Sequence, residues 1–83
     1  MKLLYFAWIR ERTGHAEEEI DPPEGAETVA DLIAWLKTRG EEYEHAFGTD
    51  GIVRAAIDRT HARMDAPIAG AREIAFFPPM TGG

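Results

Sequence analysis

The sequence predicts a small α+β domain, a mixed sheet packed on one main helix with an extended C-terminal tail. Three observations carry that expectation. One amphipathic helical stripe occupies the middle of the chain. Short apolar segments rich in β-formers flank it on both sides. The last of these runs into Pro78-Pro79 and then Gly82-Gly83. With 83 residues there is room for one domain, near the lower limit of a self-supporting core, and little volume for a deep enclosed active site.

Lys2 to Ile9 reads as a first strand contacted on both faces, Leu3, Tyr5, Ala7 and Ile9 alternating with Leu4, Phe6 and Trp8. Arg10 to Gly14 reads as a polar turn. Ala16 to Asp21 then returns as the second arm of a hairpin, which Pro22-Pro23 ends. Glu17-Glu18-Glu19 reads as a solvated edge, where like charges discourage unwanted strand pairing.

Val29, Leu32, Ile33 and Leu36 follow the i, i+3, i+4, i+7 stripe of a helix. Thr28 is placed to cap its first N–H groups, and Asp31 puts negative charge at the positive helix end. Lys37 and Arg39 suit the opposite pole, Gly40 is a natural stop, and Trp35 lies off the stripe and shields its flank. Glu41 to Phe47 reads as a further helical turn, and Gly48-Thr49-Asp50-Gly51 as a turn. Ile52–Ile57, His61–Met64 and Glu73–Phe77 read as three more strands. This order is that of a β-grasp, ubiquitin-like fold, with the first and last strands adjacent and parallel at its centre. The expected division is a β-grasp domain over residues 1–77 and a tail over 78–83. One helix covers only one face of such a sheet, so the other becomes an exposed apolar patch containing Phe6 and Phe77, as partner sites do.

Composition narrows the function. The formal net charge is −6, which repels phosphate backbones and anionic lipid and points away from nucleic acid and membrane. A basic protein partner fits that charge better. No stretch approaches the ~18 apolar residues of a membrane span and no signal peptide is evident, so the expected compartment is the cytoplasm. Ser, Cys, Asn and Gln are all missing. Without Ser or Cys the usual activated nucleophiles are absent, and no thiolate metal site is possible. His15, His45 and His61 lack ligand-like spacing and read as surface or interface residues. Asp58 and Asp65 read as turn and cap residues rather than an acid–base pair.

The chemistry therefore falls to the last eight residues, Phe76-Phe77-Pro78-Pro79-Met80-Thr81-Gly82-Gly83. The prolines end ladder pairing after Phe77 and favour a stiff, extended exit. Six residues beyond Phe77 reach at most about 20 Å, enough to enter another protein's active site. Gly82 and Gly83 have no Cβ and can follow a channel too narrow for side chains. With glycine at about 7% of residues, two together at a terminus arise by chance in about 0.5% of chains, so the pair alone is a modest signal that the Pro-Pro spacer strengthens.

This ending resembles the Phe-Phe-Pro-Pro-Val-Thr-Gly-Gly terminus of the small, sulfur-carrier subunits of molybdopterin synthase. Phe6-Ala7-Trp8-Ile9-Arg10-Glu11 is similar to that family's Phe-Ala-x-x-Arg-Glu. Thr28-Val29 and Asp65-Ala66-Pro67-Ile68 extend the likeness along the whole chain. It departs at Gly70-Ala71-Arg72-Glu73, where relatives usually carry Gly-Asp before the Glu, and at His61, where some place an apolar residue.

The resemblance implies a sulfur carrier in molybdenum cofactor biosynthesis, a non-catalytic subunit whose catalytic residues lie on its partner. Gly83 would be adenylated, converted to a thiocarboxylate, and used to donate sulfur to a pterin precursor. Pro78, Pro79, Met80, Thr81 and Gly82 would thread the partner's channel. Phe6, Arg10, His61 and Phe77 would bind the partner, with Arg10 suited to a partner carboxylate. The implied partners are the large synthase subunit, in a heterotetramer, and a ubiquitin-activating-like adenylating enzyme that uses ATP. No metal and no stably bound cofactor is expected. A related carrier for thiamine or tRNA thiolation, a ubiquitin-like protein modifier, and a plain interaction domain remain open.

Overall fold

The computed structural model describes residues 1–48 and 53–79. Five strands and three helices follow in the order β1 (Lys2–Tyr5), α1 (Ala7–Thr13), β2 (Glu17–Glu19), α2 (Val29–Lys37), α3 (Glu41–Phe47), β3 (Arg54–Ile57), β4 (Thr60–Ala62) and β5 (Glu73–Phe77). The strands form one sheet in the order β2-β1-β5-β3-β4. β1 and β5 pair in parallel at its centre, Leu3 beside Ile74 and Tyr5 beside Phe76, and the other pairings are antiparallel. This mixed sheet on a main helix is the expected β-grasp architecture.

The alternation of β1 and β5 puts Leu3, Tyr5, Ile74 and Phe76 on the face that meets the helices, where each is almost completely buried. From α2, Val29, Leu32 and Leu36 close over them, while Ile33 and Trp35 pack at the margin. The helix starts where its sequence says it should. The Asp31 N–H donates to Thr28 Oγ1 at 3.1 Å, and the Thr28 N–H donates to Asp31 Oδ2 at 3.1 Å. This capping box leaves Val29 and Ala30 to donate to the Ala66 and Met64 carbonyls, at 3.1 and 2.9 Å. The first N–H groups of α2 are thus all satisfied. At the other end, α2 stops at Lys37 with Thr38 as its cap, and Gly40 instead opens α3.

The expected first strand is too long. β1 stops at Tyr5, Phe6 caps a helix, and the segment read as the end of a strand and a polar turn is α1. Ile9 and Thr13, four residues apart, are the buried pair of that helix, so its apolar content follows the helical period rather than the strand period. Arg12 lies over the Trp8 ring, 4.6 Å from the centroid, again with a spacing of four. Gly14 closes the helix at φ 81°, in the left-handed region, where its N–H reaches the Arg10 carbonyl at 3.0 Å. β2 still returns antiparallel to β1, Lys2 opposite Glu19 and Leu4 opposite Glu17, but over three residues and after a helix rather than a tight hairpin.

The turn expected over Gly48-Thr49-Asp50-Gly51 lies outside the described residues beyond Gly48, as does Ile52. β3 begins at Arg54, and β4 covers Thr60–Ala62 rather than His61–Met64. Asp58 and Arg59 join these strands with φ of 46° and 71°, as a two-residue hairpin with both central residues left-handed requires. Asp58 Oδ1 accepts from the Arg72 and Glu73 N–H groups, each at 3.0 Å, which ties the turn to β5. Asp58 is thus a turn residue. Asp65 is exposed and faces Arg63 at 3.7 Å.

Only part of the glutamate run is solvated. Glu17 and Glu19 are exposed, but Glu18, opposite Leu3, points inward with a side chain 14% exposed. Tyr43 donates to its two oxygens at 2.7 and 3.0 Å, Arg39 bonds Oε1, and His15 stands 3.9 Å away. Burial raises the Glu18 pKa, but the bonds from Tyr43 and Arg39 outweigh it and hold the carboxyl below its ordinary 4.5. Burial, then the bond to Glu18, pushes the Tyr43 phenol up to about 12. The Tyr5 hydroxyl is buried with no hydrogen-bond partner among the described residues.

Because the folded Glu18 pKa is lowered, its stabilisation is present above about pH 4.5 and is lost as pH falls through the folded value. Tyr43→Phe should cost about 1–2 kcal/mol at neutral pH, and that cost should shrink at about pH 3 as the carboxyl protonates. Tyr5→Phe should change stability by less than about 1 kcal/mol at either pH, since no protein bond is lost. Urea midpoints of the three proteins at both pH values decide this. A Tyr43→Phe deficit that is the same in acid would remove Glu18 as its cause.

Candidate functional site

The candidate site is the point where the tail leaves the sheet. β5 is a central strand, and its burial alternates so that Phe76 faces the core and Phe77 the opposite, helix-free face. The Phe6 N–H still bonds the Phe76 carbonyl at 3.0 Å, so the parallel pairing extends one step past β1. Pro78 and Pro79 follow, half-buried and without the N–H groups that would continue the ladder. Met80, Thr81, Gly82 and Gly83 lie outside the described residues.

The face around this exit is built by register. Leu4, Ala75, Ala56 and His61 lie side by side across β1, β5, β3 and β4. One row nearer the exit, Phe77 stands opposite Arg54. Leu4, Ala75, Ala56 and Phe77 are each only half-buried, so no helix covers them. Phe6, extended at φ −120° and 49% exposed, borders the same exit from the end of β1. The His61 ring meets Phe77 edge-on with centroids 5.8 Å apart. Arg10 is exposed in α1, its N–H directed at the Phe6 carbonyl at 3.4 Å.

Of the residues singled out in the sequence, Phe6, His61 and Phe77 are therefore gathered around the tail root, with Arg10 on the adjoining helix. Arg54 was not singled out. It belongs to the same surface because of its pairing with Phe77, which register alone decides. The groups with shifted pKa at the β2 edge lie on the other side of the molecule. Among the described residues no cluster of three or more His, Asp or Glu could hold a metal ion, and no helix is long and apolar enough to cross a membrane. The arrangement is a partly exposed apolar face at the end of β5; among the described residues it is not a cleft with converging acid and base groups.

A small mixed sheet of this topology, with the first and last strands parallel at its centre, is that of a ubiquitin-like β-grasp protein. The chain belongs to the ThiS family, which matches residues 3–83. It is 35% identical to the molybdopterin synthase sulfur carrier subunit of Escherichia coli, covering 100% of this chain and 99% of that protein. Among solved structures, SAMP1 from Haloferax volcanii superposes with a TM-score of 0.75 at 28% identity, over 100% of this chain and 98% of that one. A Pyrococcus furiosus structure described as molybdopterin converting factor subunit 1 superposes with a TM-score of 0.71 at 32% identity, over 95% of each chain.

Proposed function

We propose that this chain is the sulfur-carrier subunit of a molybdopterin synthase and that Gly83 is its reactive residue. The observation that carries this reading is the similarity to the Escherichia coli carrier subunit along essentially all of both chains, combined with a tail root on a central strand beside an uncovered apolar face. In the proposed reaction the Gly83 carboxylate attacks the α-phosphorus of ATP on an activating enzyme, and pyrophosphate leaves. Sulfide-level sulfur delivered by a donor then attacks the acyl carbon and AMP leaves, giving a thiocarboxylate with no change of oxidation state. Its sulfur bonds to a pterin precursor held by the large subunit, and water then cleaves the acyl–sulfur bond, leaving the sulfur on the pterin and returning the Gly83 carboxylate. This chain contributes the projecting acyl group and the face that positions it, and the partner contributes proton transfer. The work of the carrier is positioning.

Mass spectrometry of the C-terminal peptide, purified from cells with the pathway intact, tests the reading. The expected product has one oxygen of the Gly83 carboxylate replaced by sulfur. Only the unmodified carboxylate, in cells whose pathway is running, would count against it.

A second reading is favoured by the likeness to the Haloferax volcanii small archaeal modifier protein 1, with a TM-score of 0.70 at 28% identity over 96% of this chain and 97% of that one. The same activated Gly83 would then also be joined to lysine side chains of other proteins. Branched peptides carrying Gly83 on a lysine are its signature.

A further inference from the structure

The net charge of −6 is unevenly placed. Glu17 and Glu19 occupy the β2 edge, and α3, tied to that edge through Tyr43 and Glu18, carries Glu41, Glu42 and Glu44. At the opposite side of the sheet stand Arg54 on β3 and His61 on β4. Acidic residues of the outer face are occupied: Glu17 pairs with Lys2 at 3.2 Å, Glu19 with the N-terminal ammonium at 3.0 Å, and Glu73 with Arg59 at 3.6 Å. Arg54 is exposed, lies opposite Phe77, and takes part in no ion pair among the described residues. The surface at the tail root is therefore apolar and locally cationic on an acidic protein.

Magnitudes decide which charge a docked partner senses. β3 is three strand spacings from β2 in the sheet order, or roughly 14 Å. The Debye length is about 8 Å at physiological ionic strength. The acidic edge is thus largely screened from a group seated against Phe77, whereas Arg54 is adjacent to it. Overall charge favours a basic partner; the local surface favours the reverse.

We propose that Arg54, exposed beside Phe77 on the outer face, is a specificity-determining residue that recognises an acidic group on the protein that receives the tail. This rests on the carrier reading, and the receiving protein is the large synthase subunit. Arg54 then fixes the approach of the partner by pairing with a carboxylate at the rim of the contact.

The test compares association of the unmodified chain, Arg54→Glu and Lys37→Glu with the purified large subunit at low and high salt. Lys37 is exposed in the last turn of α2, the helix packed on the opposite sheet face. Both variants change the net charge by the same amount at different places. Arg54→Glu should slow association roughly tenfold at low salt, with the difference narrowing at high salt, while Lys37→Glu stays within about twofold of the unmodified chain. Equal effects of the two variants would show that net charge governs and would overturn the proposal. Faster association of Arg54→Glu would mean a basic partner surface, and an unchanged rate would mean no electrostatic contact at Arg54; either overturns it too. If the unmodified chain itself fails to bind the large subunit, the carrier reading fails, and this proposal with it.

Discussion

Deleting Gly83, or adding one alanine after it, is expected to abolish adenylation-dependent sulfur loading while the domain stays folded. In the proposed reaction the reacting group is the Gly83 α-carboxylate, so the outcome depends on the position of that group and not on a side chain. Deletion withdraws the carboxylate by about 3.3–3.6 Å, far more than a near-attack geometry tolerates. Extension turns the Gly83 carboxyl into an amide and, in the proposed reaction, would bring a Cβ into the partner site that receives the glycines. The folded core should not notice either change, because among the described residues the last buried one is Phe76. Gly82→Ala should bind partners through the intact sheet face but react slowly, lowering turnover more than affinity. Single-turnover conversion of the pterin precursor, with each variant passed through the activating enzyme and mixed with the large subunit, measures all three. Normal conversion by the extended chain, confirmed unprocessed, would falsify the terminal-carrier mechanism.

Much of this arrangement is legible in the residues. Thr28 and Asp31 mark the start of α2 because a capping box needs those side chains at that spacing. Phe76-Phe77 before two prolines fixes the end of β5, since proline cannot extend the ladder. α1 was not legible as a helix. Leu3 to Ile9 is apolar nearly throughout, so the strand and helix periods both fit it, and only the burial of Ile9 with Thr13 separates them. Glu18 could not be told from its two neighbours either. Its inward position follows from pairing with Leu3, a long-range register that three identical residues do not encode. The same holds for Arg54, whose place beside the tail root is set by its pairing with Phe77.

Two neighbouring phenylalanines should respond to the same substitution in opposite ways. Phe76 is 0% exposed, stacked on Tyr5 with centroids 6.1 Å apart and edge-on to Phe47 at 5.1 Å. Phe76→Ala removes a ring from the centre of this cluster and should cost about 3–5 kcal/mol through lost burial and the cavity left behind. A domain of this size holds roughly 4–12 kcal/mol in all, so a large part of its stability goes. The fall in Tm should be roughly 15–30 °C. Phe77 faces away from the helices, half-buried, with the His61 ring at its edge. Phe77→Ala should cost about 1 kcal/mol, as the loss of one cross-strand contact does, yet weaken large-subunit binding at least about tenfold if the uncovered face is the docking surface. Thermal unfolding and partner affinity, measured on both variants, separate the two roles. If Phe77→Ala unfolds the domain as readily as Phe76→Ala, Phe77 is a core residue and the outer face loses its central anchor. If it is as stable as the unmodified chain and binds the large subunit unchanged, the tail root is not where the partner sits.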